Sequence, residues 1–541
     1  MRDEITGVAF RNLLKRLWFT VLLCAGLLIE GTAADFTPQW RISKSNAKYV
    51  KIEGDRLTVD VPPGVSNVCA YATADIDLSN WAQRCLEAEV RCRGTRLVRD
   101  ARPARGVKLS LHYTDPVEGN RRYPAAPAPE EGDFGWTNLQ LSVSFGEVPP
   151  PATPTAQVVL GLQQTSGRLE FDLSSFKLRN APPIFPQVDN DYKVKYPAAV
   201  AARGRMRGVM GRGCCRNTER DIQDLQDYGA NLIRLQMNGF AGAQRKSGKS
   251  VTLADWNRWL ARNLDHAEEV LGWLEKRNMQ MVLDLHNPPL HGYGRSGDVF
   301  YVQEFADRFV ETWREIAVRF KGRPGIYGYD LMNEPSQMRR ALPDCDYWNI
   351  QRRAAEAIRA IDPDVTIIFA ANEASGPQAF AYLAALKMDN VIYQVHMYKP
   401  GWFTHQGANG APRPRPGTEQ PYPNPTRGVD KEKLRAWLQP VRDFQLRHGA
   451  KIYAGEFSAC IYAPGAGQYL QDCISLFEEY GWDWTYHSFR EALWWNVETV
   501  IDPATGKPVP NKDNDRFRAL VNGFKGRGRA YGEVEYERSF H

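Results

Sequence analysis

Two glutamates stand where apolar runs end. Glu334 closes Tyr329-Asp330-Leu331-Met332-Asn333-Glu334-Pro335, and Glu456 lies in Gly455-Glu456-Phe457-Ser458. A pair of acids so placed suits cleavage of a glycosidic bond. One acid must carry a proton for the leaving oxygen, while the other must be ionised to attack or to activate water. Four further polar groups end similar runs: Arg234 in Asn231-Leu232-Ile233-Arg234, His286 after Asp284-Leu285, Asn333 itself, and the His396-Met397-Tyr398 string. A fixed guanidinium such as Arg234 lowers the pKa of one carboxylate, Tyr398 can donate to the same group, and Asn333 can bind a substrate hydroxyl. Singly these residues are ordinary: a Glu before Pro is commonly a turn residue, an interior Arg closes an ion pair, and a lone His is commonly a satisfied core or loop residue. Their coincidence at five run ends selects them as candidates.

Positioning them requires a scaffold that gathers strand ends. From about residue 205 the chain alternates strand and helix patterns. The strands are expected at 207–211, 231–237, 280–285, 326–332, 365–370, 391–397, 451–455 and 483–488, with helices at 218–228, 256–276, 302–320, 348–361, 431–448 and 467–480 between them. Eight such units predict a (β/α)₈ barrel, in which the ends named above share one rim. A doubly wound open sheet is the alternative, but no Gly-rich phosphate loop follows a strand. The Pro- and Gly-rich stretch 400–425, containing Trp402, Phe403, His405 and Gln406, reads as a long loop on the catalytic face.

Residues 35–180 have a different rhythm. Period-two runs such as Asp55–Val61, Val107–Tyr113 and Ala156–Leu162, split by Pro, Gly and Asp, predict an all-β jelly-roll-like sandwich, for which a sugar-binding role and a spacer role both fit. Pro182, Pro183, Pro186 and Pro197 mark a linker over 181–204, so that the barrel domain occupies 205–541. At the N-terminus, Arg11, Lys15 and Arg16 precede the apolar run 17–28 and the small residues 31–34. This predicts a signal peptide over 1–34, a secreted or periplasmic protein, and no membrane association beyond that segment. Beyond Cys24, eight cysteines remain (Cys69, Cys85, Cys92, Cys214, Cys215, Cys345, Cys460 and Cys473), and an even count permits disulfides of open pairing. Neither a C-x-x-C pair nor an H-E-x-x-H helix is present, so no metal is expected. A net charge of +6 spread over 541 residues, without a dense Lys/Arg block, argues against a nucleic-acid partner. Nothing in the sequence fixes an oligomeric state.

The strings Asn333-Glu334-Pro335, His396-x-Tyr398 and Gly455-Glu456-Phe457, with Arg234, resemble glycoside hydrolase family 5 over about residues 205–525. The resemblance implies a retaining double displacement with Glu334 as acid/base and Glu456 as nucleophile, and no cofactor. It further implies that Arg234 and Tyr398 bond the nucleophile, that Asn333 meets the sugar 2-hydroxyl, and that His286 and His396 line the site. The expected substrate is a β-linked glucan-type poly- or oligosaccharide, as for a cellulase. β-Mannan, xyloglucan and small or lipid β-glycosides are alternatives, and a non-hydrolytic carbohydrate-binding protein is the rival of another class. One position departs from the family: His487 stands where a stacking Trp is expected on the eighth strand, and Trp494 and Trp495 are the candidates to replace that platform.

Overall fold

The computed structural model describes residues 36–44, 47–65, 68–77, 85–99, 106–114, 121–126, 128–129, 131–144, 155–180, 190–213, 215–240, 252–289, 298–337, 340–408, 411–415 and 417–526. The expected signal segment and residues 181–189 of the expected linker lie outside the described residues. Among those described, no helix is long and apolar enough to cross a membrane. Two units separate between Ile184 and Phe185.

The first unit consists of two five-stranded antiparallel sheets. One runs in the order Arg41–Ile42, Cys69–Asp77, Thr155–Gln163, Gly106–Thr114 and Arg121–Arg122; the other Val50–Glu53, Arg56–Val61, Thr165–Asn180, Cys85–Arg99 and Gly132–Ser144. Alternation dictates the layering, since Leu57, Val59 and Val61 point into a core with Val90, Leu109, Leu160 and Phe171 while Arg56 and Asp60 face out. On the outer face of the second sheet Trp136 is 37% exposed, with the guanidinium carbons of Arg91 and Arg93 5.5 and 5.0 Å from its ring.

The second unit is a closed barrel of eight parallel strands. They are β1 (Arg207–Met210), β2 (Leu232–Gln236), β3 (Gln280–Asp284), β4 (Ile326–Asp330), β5 (Ile367–Ala370), β6 (Val391–Met397), β7 (Lys451–Phe457) and β8 (Asp483–Tyr486). Around them run α1 (Glu219–Tyr228), α2 (Leu253–Glu275), α3 (Gln303–Phe320), α4 (Tyr347–Arg359), α5 (Lys431–His448), α6 (Ala466–Tyr480) and α7 (Asp515–Phe524). Local sequence sets their ends. Thr218 and Asp221 close a capping box on α1, Thr252 and Asp255 do so on α2, and Asp346 caps α4 through the Trp348 and Asn349 amides. Gly229 and Gly481 end α1 and α6 in the left-handed conformation.

Strands buried on both faces read as nearly continuous apolar runs, which is why their positions were clear beforehand. The N-terminal end of the barrel is filled by Met206, Leu232, Val282, Tyr327, Ile368, Ile392 and Tyr453, with Tyr196 packed against them. Tyr196 donates from its hydroxyl to the Val391 carbonyl at 2.8 Å and accepts from the Lys451 amide at 2.7 Å. His448 reaches the Tyr192 carbonyl at 2.8 Å, and Asn190 bonds the Ala385 carbonyl at 3.0 Å. Residues 190–203, expected above as linker, are thus built into the barrel floor; their prolines and charges hid an aromatic plug.

Candidate active site

The inward-facing positions nearest the C-terminal rim hold charge instead of apolar bulk. Arg234 of β2 is fully buried at the centre. Its Nε donates to Asp330 Oδ2 at 2.9 Å, Nη1 to Glu456 Oε1 at 2.7 Å, and Nη2 to Asn333 Oδ1 at 2.9 Å. Asp284 Oδ2 lies 3.2 Å from Nη2. One guanidinium therefore ties β2, β3, β4 and β7 together, a use that suits a rigid fork of five donors. Burial pushes Asp330 up, yet Arg234 and the Gln394 amide, at 2.7 Å, donate to both of its oxygens.

Glu456 reaches this cluster through a bulge. Val395 pairs with Ala454 but His396 pairs with Glu456, so Gly455 is an extra residue in β7. Bulges of this kind re-aim side chains, and here His396 and Glu456 are brought side by side. A Cβ on Gly455 would lie 2.4 Å from Gln394 Oε1 and 3.1 Å from His396 Nε2, so any larger residue must push one of these side chains aside.

The two glutamates converge. An oxygen of Glu334, an oxygen of Glu456 and a ring nitrogen of His396 lie within 4.8 Å of one another. His396 Nδ1 is 3.0 Å from Glu334 Oε1 and 3.9 Å from Glu456 Oε2. These three are also close enough to approach a single cation, but the donors gathered on Glu456 already neutralise it. Their environments differ sharply, because the Glu334 side chain is 37% exposed and that of Glu456 only 5%. Burial would raise the Glu456 pKa; the nearby His396, His487 and Arg234 overcome it and hold the carboxyl well below its usual range. Tyr398 adds a hydroxyl donor to Glu456 Oε2 at 2.7 Å. Asn333, oriented by Arg234, turns Nδ2 towards His286 Nε2 at 3.2 Å, and His286 Nδ1 donates to Asp284 at 2.8 Å.

Behind Asn333 and Glu334 the backbone is held by a left-handed turn. Glu373, Ala374 and Ser375 all have φ between 54° and 57°. The Ala374 amide donates to the Pro335 carbonyl at 3.0 Å and the Ser375 hydroxyl to the Asn333 carbonyl at 3.0 Å.

Arg234, His286, Asn333, Glu334, His396, Tyr398, Glu456 and His487 therefore form one cluster. Trp495 does not serve as an open platform: it is 1% exposed, with its ring packed against Tyr398, His405 and His487 at centroid distances of 6.1, 5.2 and 5.6 Å. Trp494 is half-buried, and its carbonyl accepts from the amide of Ile461, in the loop after β7, at 2.9 Å. Sequence reasoning gave no role to Asp284, Asp330, Gln394 or Glu491. The first three share the inward parity of recognised neighbours, Gln394 being two residues before His396 on β6, and that signal was available. Glu491 lies in an irregular loop without periodicity. It also lines a pocket of about 500 Å³ with Arg212, Leu493, Asn496 and Lys512.

A closed parallel barrel presenting two adjacent carboxylates at its C-terminal rim defines a glycosyl hydrolase. Residues 198–492 match the family model for cellulase (glycosyl hydrolase family 5), and the chain belongs to that family. Endoglucanase C of Acetivibrio thermocellus is 26% identical over 301 residues, covering 50% of this chain and 83% of its own. Cellodextrinase A of Ruminococcus flavefaciens is 27% identical over 250 residues, covering 44% and 68%. The crystal structure of Thermotoga maritima Cel5A with mannotriose covers 58% of this chain and 97% of its own, at 22% identity and a TM-score of 0.45.

Proposed function

We propose that the chain is an exported, retaining hydrolase of β-linked glucan-type poly- or oligosaccharides. The observation that carries this reading is the approach of the Glu334 and Glu456 carboxylates to within 4.8 Å in opposite environments. Retaining enzymes hold their two carboxyl groups about 5–5.5 Å apart, whereas inverting ones need about 6.5–9.5 Å to admit a water between them. Glu456, buried and kept ionised by its donors, attacks the anomeric carbon. Glu334, open to solvent, protonates the departing oxygen and then deprotonates the water that releases the sugar. Arg234 and Tyr398 keep Glu456 aimed, and Asn333 meets the hydroxyl beside the anomeric carbon. Two carboxylates and water suffice for this chemistry.

The names of the relatives, an endoglucanase and a cellodextrinase, favour β-glucan as substrate. Export follows from the basic and apolar N-terminal segment. For the sandwich, the exposed Trp136 ring favours contact with a sugar face over a pure spacer.

The test is a hydrolysis screen over barley β-glucan, carboxymethylcellulose, xyloglucan, mannan and aryl β-glycosides, with the configuration of the first product read by NMR. Release of a β-anomer from a β-glycoside, abolished in Glu456→Ala, is expected. Equal activity in wild type and Glu456→Ala, or an α-anomer as first product, overturns the reading.

A further inference from the structure

His487 occupies the position after β8 at which a stacking aromatic ring was expected, and its surroundings are those of a charge. Nδ1 lies 2.7 Å from the Tyr398 hydroxyl, and Nε2 lies 3.0 Å from Glu491 Oε2. Tyr398 has one proton, which it donates to Glu456 at 2.7 Å. Towards His487 its oxygen can then only accept, so Nδ1 must carry a hydrogen. The Glu491 carboxylate is acceptor-only, so Nε2 must carry one as well. Both ring nitrogens are protonated, and the ring is an imidazolium.

We propose that His487 and Glu491 form an imidazolium–carboxylate pair that locks Tyr398 as a donor to Glu456, and that loss of the His487 proton sets the alkaline limit of hydrolysis. The inference rests on Glu456 being the nucleophile. When His487 is neutral, Glu491 retains Nε2–H and Nδ1 offers its lone pair to Tyr398. The tyrosyl hydrogen then has two acceptors, and Glu456 loses a directed bond. His487 is a positioning residue in this scheme, since it acts on Glu456 only through Tyr398.

The groups around the ring agree with this protonation. Burial disfavours the charge on His487, but Glu456 and Glu491 raise its pKa above the usual histidine value, with His286 opposing. From the loop after β6, His405 faces it with a pKa lowered by burial and by the charge of His487. Trp495 covers one side of the ring. Burial would raise Glu491, yet the hydrogen bond from His487 and a further one from Gln236 hold it down at about 2; Asn238 Nδ2 also donates to Oε1 at 3.1 Å. Glu491 is therefore ionised at every pH where the enzyme would work.

Two measurements on the full chain test the proposal. In ¹⁵N-histidine-labelled protein, the His487 resonances, assigned by their loss in His487→Gln, should have imidazolium shifts at pH 7. In Glu491→Gln the transition to the neutral ring should move at least one pH unit lower. In parallel, the alkaline limb of kcat on an aryl β-glucoside should move down by a similar amount in Glu491→Gln, with KM changed less than threefold. A neutral His487 at pH 6 in wild type overturns the proposal, as does an alkaline limb that stays put in a folded Glu491→Gln variant. If wild type cleaves no β-glycoside while the resonances behave as expected, the assigned hydrolysis falls and the charged pair stands.

Discussion

Replacing Arg234 by methionine isolates the electrostatic core of the site. The substitution keeps an unbranched stem and deletes one cation that is fully buried and bonded to Asp330, Glu456 and Asn333, with Asp284 at 3.2 Å. Breaking a buried ion set by removing one partner costs about 3–5 kcal/mol. For a domain of this size, that is a fall in Tm of about 4–7 °C near neutral pH. The pH dependence distinguishes this cause from lost packing. Without Arg234, burial and the charges of Asp284 and Glu456 raise the folded-state pKa of Asp330 still further above its unfolded value near 4. Such groups contribute stability that is fully present below the unfolded pKa and is lost as pH rises through the folded one. The Tm deficit of Arg234→Met should therefore shrink by half or more between pH 7.5 and pH 4.5. Differential scanning calorimetry of both proteins across that range measures it. A deficit of equal size at the two pH values would show that Arg234 acts as a spacer between strands and would refute the electrostatic account.

Other outcomes follow from single contacts. Gly455→Ala should lower kcat at least a hundredfold, because its Cβ would displace Gln394 or His396 from beside the bulge; steady-state kinetics on an aryl glycoside checks this. Glu334→Gln should slow release of poor leaving groups far more than of dinitrophenolate, whereas Glu456→Gln should abolish both; a leaving-group series separates them. Asp346→Ala should cost about 1 kcal/mol by removing the cap from the Trp348 and Asn349 amides, with kcat unchanged, as read by denaturant unfolding.

The barrel was readable because each parallel strand is buried on both sides and mostly apolar until its C-terminal end, and β6 occupies the very span expected, Val391–Met397. β7 shows where that reading weakens. Gly455 suggested that the strand stops, but pairing continues to Phe457 because the bulge absorbs the extra residue. The convergence of Glu334 and Glu456 could be inferred from rim geometry alone. The network beneath them could not, since it depends on which inward polar residues share one guanidinium. Trp495 misled for a related reason: an aromatic ring beside a sugar site fits both a platform and the packing behind it, and only the position of Tyr398 and His405 decides. His487 announced itself as a departure, but its partner Glu491 sits on a loop whose path no period reveals.

The Tyr196 plug bears on how the catalytic half can be handled by itself. A gene fragment cut where the first strand begins would omit the cork that bonds β6 and β7 from below, and would leave Ile392 and Tyr453 facing water. Starting the fragment at Asn190 instead keeps the base of the barrel sealed, and with it the register of the two strands that carry His396 and Glu456.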